Sequence, residues 1–343
     1  MKESDMKPNT KSGFILISVM LMIIAMAAFI LEFNYESRLA LRIVGDINHV
    51  NMALNNADAG ISIAMAALKQ NENITSDTAQ TLFSGMTKIP IDDGFYKVSI
   101  TLDSGKININ SLCTSDGKPI RKRVDQMLRL IDLLNNQYGN SAPISYGLVP
   151  AVIDWIDPDN DATFLPYIQR QNTGAENNYY KNLDEPYLCK DAPFDVLSEL
   201  RLVKGMTSEI FYGLAGNKDK GIKPVDGISK YLTVYGDGKI NINEAPIIVI
   251  RSLSEGISAA LAQNIIEQRE YSRYSSIEQL KKVPGMTNEI YEDMRDLITI
   301  KNNDDYYIVT GTGIARNCTR TVKVVLRKNQ RTSQLDVVMR SEI

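Results

Sequence analysis

The stretch KSGFILISVMLMIIAMAAFILEF, Lys11–Phe33, decides how the rest of this 343-residue chain is read. From Phe14 to Leu31 no residue is charged. At about 1.5 Å per residue that run makes roughly 27 Å of helix, close to the hydrocarbon thickness of a bilayer. The leader ahead of it, MKESDMKPNTKSG, is polar, with three lysines against one Glu and one Asp. Apolar positions then continue through Leu39, Leu41, Ile43, Ile47, Met52, Leu54, Ile61, Ile63, Met65 and Leu68, and no proline falls between Phe14 and Gln70. This pattern predicts one long helix, apolar all round in its first half and amphipathic in its second.

Three readings of the first half compete. A secretory signal peptide would close a shorter apolar core with small residues in an A-x-A-like site, and Ala25-Met-Ala-Ala28 offers a weak one. A plain membrane anchor needs only apolar length and a basic flank. The third reading rests on Gly13-Phe14, where polar leader meets apolar helix in a single step. That step resembles the type III signal of prepilins, which a membrane peptidase cuts after the glycine, leaving the helix in the mature protein.

Length allows two or more domains and ample core. A net charge of −3 gives no global attraction to nucleic acid or acidic lipid. The three cysteines, Cys113, Cys189 and Cys318, make no disulfide-rich framework; in an exported chain one pair could bridge, and spacing does not choose which. A single histidine, His49, argues against His-rich metal sites and a Ser-His-Asp hydrolase. G-x-S-x-G, Walker-type and C-x-x-C motifs are absent from the sequence, and nothing places a sugar against the Asp154–Asp161 carboxylates. A non-enzymatic component is expected.

Gly94-FYKVSITLD alternates and is rich in β-branched and aromatic residues, with GKININSL directly after the turn at Asp103-Ser-Gly. Far downstream, Tyr306-YIVTGTGIARN and Thr319-RTVKVVLRKN read as two antiparallel strands. The block between is mainly helical, so the expected class is α+β: a long N-terminal helix on a small antiparallel sheet, with a large helical insertion.

That block contains a repeat. Phe194-DVLSELRLVKGMTSEIFYGL aligns without gaps to Tyr274-SSIEQLKKVPGMTNEIYEDM, and Gly105-KININ echoes Gly238-KININ. Each longer unit reads as helix, tight glycine turn, then a helix capped by Thr207 or Thr287. Helix-hairpin-helix units of this kind can bind DNA through hairpin amides and basic side chains. Here Glu209 and Glu289 stand two residues past the capping threonines, where carboxylates repel phosphate. A structural or protein-contact role is expected, with no nucleic acid partner.

Asp154-Trp-Ile-Asp157-Pro-Asp159-Asn-Asp161 is the densest candidate for chemistry. Carboxylates at 157, 159 and 161 alternate as in the first half of a calcium loop. It is not an EF-hand, because Ala162 replaces the turn glycine and Ile168 sits where the bidentate Glu belongs. Glu176, Asn178 and Asn182 lie close enough in sequence to lend oxygens. The competing reading is a solvated Asp/Pro turn.

The order of KSGFILISVM, Ala151-VIDWIDPDND, Gly174-AENNYYKNLDEPY, Ala192-PFDVLSELRLVKGMT and Tyr231-LTVYGDGKININEAP resembles the minor pseudopilin family GspK of bacterial type II secretion systems, over essentially the whole chain. The resemblance implies a leader at 1–13 cut between Gly13 and Phe14 by prepilin peptidase, and a membrane-spanning half-helix at 14–31. It implies the pilin-like helix and first strands at 32–112, and a helical insertion with the first hairpin unit at 113–233. The second hairpin region follows at 234–300 and the C-terminal strands and tail at 301–343. Ser18 stands at the fifth mature position, where most pilins carry a Glu that pairs with the next subunit's N-terminus; the GspK family lacks that Glu, which suits a tip subunit with nothing above it. Otherwise Ser18 is a tolerated membrane serine.

The resemblance also implies calcium in the insertion, with Asp157, Asp159, Asp161, Glu176 and Asn182 as the expected ligands. Implied partners are I- and J-type minor pseudopilins in a heteromeric tip complex, met by the face from Ile43 to Leu68, together with the major pseudopilin. The implied location is the bacterial inner membrane, single-pass, with the C-terminal domain in the periplasm. The alternatives are a membrane-tethered helix-hairpin-helix DNA receptor and a minor pilin of a type IV pilus.

Overall fold

The computed structural model describes residues 10–70, 89–91, 94–138, 144–169, 172–216, 224–300, 305–329 and 334–342. Helix α1, Thr10–Gln70, is continuous. Its apolar side chains from Phe14 to Ile47 are exposed, and burial begins only at Ala53. From there Ala53, Ala57, Ile61, Ala64 and Leu68 form a buried stripe at helical spacing. The expected partner face therefore shrinks. Ile61 and Leu68 belong to the chain's own core, whereas Ile43, Val44, Ile47 and Ile63 remain exposed.

The stripe packs on a five-stranded antiparallel sheet of order β1-β2-β9-β10-β11. These strands are Ile89–Ile91, Gly94–Leu102, Asp305–Ala315, Cys318–Lys328 and Leu335–Glu342. Alternation in β2 is strict, with Tyr96, Val98, Ile100 and Leu102 buried and the residues between them exposed. Alanine faces glycine where helix and sheet meet. A Cβ on Gly313 would collide with Ala53 O and one on Gly311 with Ala57 O, so both glycines let the backbones approach. Lys328 reaches beneath the helix and donates to Leu68 O at 2.9 Å, placing a cation at the negative end of α1. Arg340 of β11 pairs with Asp58 through both carboxylate oxygens, at 2.8 and 3.0 Å. The fifth strand, β11, falls where the sequence suggested a tail.

Residues 103–304 leave between β2 and β9, which are adjacent and paired to their ends, with Leu102 opposite Tyr307. This insertion has its own core, running from Ile107 to Ile298, distinct from the core shared by α1 and the sheet. It is a tandem pair. In the first unit, β3 (Ile107–Asn108) leads to α2 (Arg121–Tyr138), α3 (Leu148–Ile156) and the short α4 (Asn177–Tyr180). A 3-10 turn (Leu197–Leu202), α5 (Ser208–Tyr212), a two-residue ladder of β4 (Gly213–Leu214) with β5 (Val225–Asp226), and β6 (Leu232–Thr233) complete it. The second unit repeats the order more briefly: β7 (Ile240–Asn241), α6 (Ile247–Ser252), α7 (Ala259–Tyr271), a 3-10 turn (Ile277–Lys282), α8 (Asn288–Met294) and β8 (Ile298–Thr299). In each unit the first strand pairs in parallel with the last.

The echoing KININ segments hold the two units in the same way. Asn110 exchanges two hydrogen bonds with the backbone of Phe194, and Asn243 does the same with Tyr274. The expected first helix of each hairpin motif is a 3-10 turn instead. A side chain folds back on each to take up free amides: Glu199 Oε1 accepts from Val196 N, and Gln279 Oε1 from Ser275 N. Thr207 and Thr287 cap as expected, each accepting from the amide three residues on at 3.2 Å. The turns place Gly205 and Gly285 at φ +85° and +91°, a conformation that favours glycine.

Where insertion and sheet domain meet, Asp103 is buried, accepts from Thr233 Oγ1 at 2.9 Å and pairs with Lys106 at 2.6 Å. Tyr235 stacks on Tyr306 at 5.1 Å. The three cysteines are free thiols, two of them buried.

Candidate metal centre

The second unit passes from α7 to its 3-10 turn through a few residues around Tyr274. At the corresponding place the first unit carries the segment 157–193. Helix α3, LVPAVIDWI, is buried at every position, Asp154 included, and ends where Asp157 turns extended. Trp155 projects into an aromatic wall of Tyr180, Tyr187 and Phe194, with ring centroids 5.3 to 6.3 Å away. The segment is tied down on the first hairpin: Tyr187 Oη donates to Leu202 O at 2.7 Å, and Lys204 Nζ donates to Gly174 O at 3.0 Å.

Against this wall lie carboxyl groups that no ion pair among the described residues neutralises. Asp154 Oδ1 accepts from Thr163 N at 2.8 Å, but its Oδ2 has no donor. Asp157 Oδ1 and Glu176 Oε1 are likewise buried without a donor, on side chains 3% and 5% exposed. Asp191, at φ +52°, adds a fourth such oxygen. Two glycines make room. A Cβ on Gly117 would lie 2.7 Å from that of Asp157, and one on Gly174 would strike Asp154 Oδ2. Burial, reinforced by the Asp159 and Asp154 charges, pushes Asp157 up to about 7. Burial and then the Asp154 charge push Glu176 up to about 8. Asp154 is raised as well, chiefly by burial. Such a group is neutralised either by protons or by a divalent cation.

Asp157, Asp159 and Glu176 each bring one carboxylate oxygen within 4.8 Å of the others. Asp161 falls outside this carboxylate trio. Asp161 serves through its backbone, donating N–H to Asp159 Oδ1 at 2.8 Å, and Asn182 turns to Asn178 O at 2.7 Å. A second trio, Glu176, Cys189 and Asp191, satisfies the same 4.8 Å spacing. Sequence reasoning missed Cys189 and Asp191 as well as Asp154. For Asp154 there was a signal: one carboxylate inside an otherwise apolar nine-residue helix.

At the other end of the chain, Gly13 and Phe14 fall in the opening turns of α1, and Ser18 Oγ donates to Phe14 O at 3.0 Å, satisfied within its own helix. The length and composition of α1 from Phe14 onward suffice to cross a membrane.

Comparison with known proteins places these features. The family described as Type II secretion system (T2SS), protein K matches residues 105–216, and a helix-hairpin-helix motif matches residues 236–299. The chain is 27% identical over 288 residues to type II secretion system protein K of Pseudomonas aeruginosa, covering 79% of this chain and 76% of that protein. To the protein K of Pectobacterium carotovorum subsp. carotovorum it is 25% identical over 201 residues, covering 57% and 55%. In fold it is similar to a chain of the GspK-GspI-GspJ complex from the enterotoxigenic Escherichia coli type 2 secretion system, with a TM-score of 0.63 over 88% of this chain and 99% of that one, at 17% identity.

Proposed function

We propose that this chain, which belongs to the type II secretion protein K family, works as a non-enzymatic minor pseudopilin at the tip of a pseudopilus. One observation carries the reading: the protein K match lies in an insertion mounted on a long helix whose first half is apolar and exposed and whose second half packs on a small sheet. The exposed half anchors the chain in the inner membrane before assembly, with the sheet and insertion in the periplasm. Cleavage between Gly13 and Phe14 leaves that helix intact. N-terminal sequencing of membrane-extracted protein is expected to begin at Phe14, and Gly13→Val to leave a longer precursor; a start near Phe29 would overturn the pilin reading.

The partners are I- and J-type minor pseudopilins. They meet the helix face that the chain leaves open, around Ile43, Val44, Ile47 and Ile63. The insertion, lying at one end of the sheet, blocks addition of a further subunit above. Co-purification with the two partners tests this. Loss of their capture on Ile47→Asp supports it, and polymerisation of the chain by itself contradicts it.

Calcium belongs to the same reading. Asp157, Asp159 and Glu176 would hold it, and the buried donorless oxygens of Asp157 and Glu176 fit a hard cation. Bound calcium would neutralise the cluster and stiffen segment 157–193 against the first hairpin; Asp154, in the turn below, orients the loop through Thr163. Calorimetry is expected to give stoichiometric calcium binding that Asp157→Asn with Asp159→Asn removes. No binding and no thermal shift in the unsubstituted protein would leave the cluster a buried turn.

A further inference from the structure

One face of α2 carries Arg121, Asp125, Arg129 and Asp132 at spacings of three and four, so these charges line up along the helix rather than spread around it. Beside them opens a groove of about 520 Å³, walled by Tyr146 and Tyr167 from the loops before and after α3 and bounded by Glu255 of the second unit. It lies where the two tandem units meet, and such junctions commonly hold binding sites. Leu128 and Ile168, both half-buried and packed on the insertion's core, give it an apolar floor. Neither arginine is free to fill it. Arg121 donates Nε to both oxygens of Asp125, at 2.8 and 2.9 Å, and lies 3.5 Å above the Tyr167 ring. Arg129 turns to the end of α6, donating to Ser252 O at 2.7 Å and to Leu253 O at 3.0 Å.

What the groove leaves open is anionic. Asp132 accepts from Tyr146 Oη through Oδ1 only, and Glu255 is exposed; among the described residues no cation pairs with either. We propose that this groove receives a basic segment of a partner protein, with one Arg or Lys side chain of that segment at Asp132 and another at Glu255. Charge complementarity selects the sign of the partner. The floor selects side chains with long methylene stems, which lie on apolar surface while the charged head meets a carboxylate. Arg121 displays the same chemistry within the chain, its guanidinium engaging an aromatic ring and a carboxylate at once. The two uncovered carboxylates stand on different units, so an extended segment spans the groove where a small cation would meet one end of it. The inference concerns the insertion alone and stands whether or not α1 meets I- and J-type partners.

The test uses the full chain in a non-ionic detergent and a fluorescein-labelled peptide amide, Gly-Ser-Arg-Ser-Arg-Ser-Gly, read by fluorescence anisotropy at low salt. A single saturable site is expected, weakened by about tenfold or more in Asp132→Asn with Glu255→Gln. An amide oxygen at position 132 still accepts from Tyr146, so the melting temperature of that variant should hold. Glu255→Lys alone, on an exposed side chain, sets a cation in the groove and should abolish binding without touching Asp132. Asp336→Asn with Glu342→Gln removes the same charge from exposed positions of β11 and should leave affinity within about twofold. A peptide with citrulline at both Arg positions keeps the shape and loses the charge, and should not bind. Absence of saturable binding by the arginine peptide overturns the proposal. Equal weakening in the β11 variant overturns it too, since the attraction would then be one of net charge. Full competition by free arginine or spermidine at matched charge would make the groove a site for a small organic cation and would likewise sink the partner segment.

Discussion

Asp157 and Glu176 hold oxygens out of water with no donor, and each carries a pH signature. In the unfolded chain both titrate near about 4. In the folded, metal-free protein they titrate at about 7 and about 8. Between those limits the folded state keeps protons that the unfolded state has released, so stability falls as pH rises and levels off above about 8. The melting temperature of metal-free protein is therefore expected to drop steadily from pH 5 to pH 8, and saturating calcium to flatten that slope. Asp157→Asn with Glu176→Gln should raise the metal-free melting temperature at pH 8, because it removes the repulsion, and should cancel the response to calcium. A flat profile in thermal melts would mean that these carboxyls are solvated, and a slope of the opposite sign that the folded state pairs them with a cation or donor. Asn243 gives a residue-scale test elsewhere. Asn243→Ala strands the buried amide and carbonyl of Tyr274 and is expected to cost about 1–3 kcal/mol in chemical denaturation.

Helix α1 is two elements in one, and alanine marks the change. Large apolar residues from Phe14 to Ile47 stay outside, while Ala53, Ala57 and Ala64 are at zero exposure. The cause lies on β9, where Gly311 and Gly313 leave no space for a larger residue opposite. Gly313→Val forces a side chain into Ala53 O and should destabilise the α1–sheet pair by about 1–3 kcal/mol or more, read by urea unfolding; a neutral effect would mean that the helix slides freely on the sheet. The hairpin motifs depend on caps rather than on length, since α5 and α8 are short. Thr207→Ala and Thr287→Ala should each cost about 1 kcal/mol, through loss of the bond to Ile210 N or Ile290 N.

Two cores share one chain. Because β2 and β9 are neighbours in register, residues 103–304 leave and return at the same end of two adjacent interior strands. Replacing them with a short Asn-Gly hairpin turn should leave α1 and the sheet folded. The expected result is a single cooperative thermal transition for the shortened protein; a broad, non-cooperative melt would show that the insertion's contacts at Asp103 and Tyr235 are needed to hold the sheet. The reverse piece, the insertion alone, has a buried core from Ile107 to Ile298 and should melt cooperatively too.

Much of this was readable along the chain, because it depends on local periodicity. The uncharged run after Gly13, the alternation of Gly94–Leu102, the paired strands near the C-terminus, the threonine caps and the internal repeat are all properties of neighbouring residues. They determined a long helix on a sheet with an inserted helical pair, while the spaced carboxylates after Trp155 suggested Asp157, Asp159, Asp161, Glu176 and Asn182 as ligands. The rest needed distant residues brought together. No local pattern says that Ala57 faces Gly311, that Lys328 ends α1, or that Asn110 grips Phe194 as Asn243 grips Tyr274. The acidic centre divides the same way. Asp161 gives its backbone N–H to Asp159 Oδ1 and Asn182 its Nδ2 to Asn178 O, whereas Cys189 and Asp191 come to the cluster from beyond α4. Spacing in sequence assigns the residue types that suit a cation, but only the packing of the chain from Asp157 onward over Trp155 decides which oxygens lose their water, and a desolvated carboxyl must either keep its proton or find a cation.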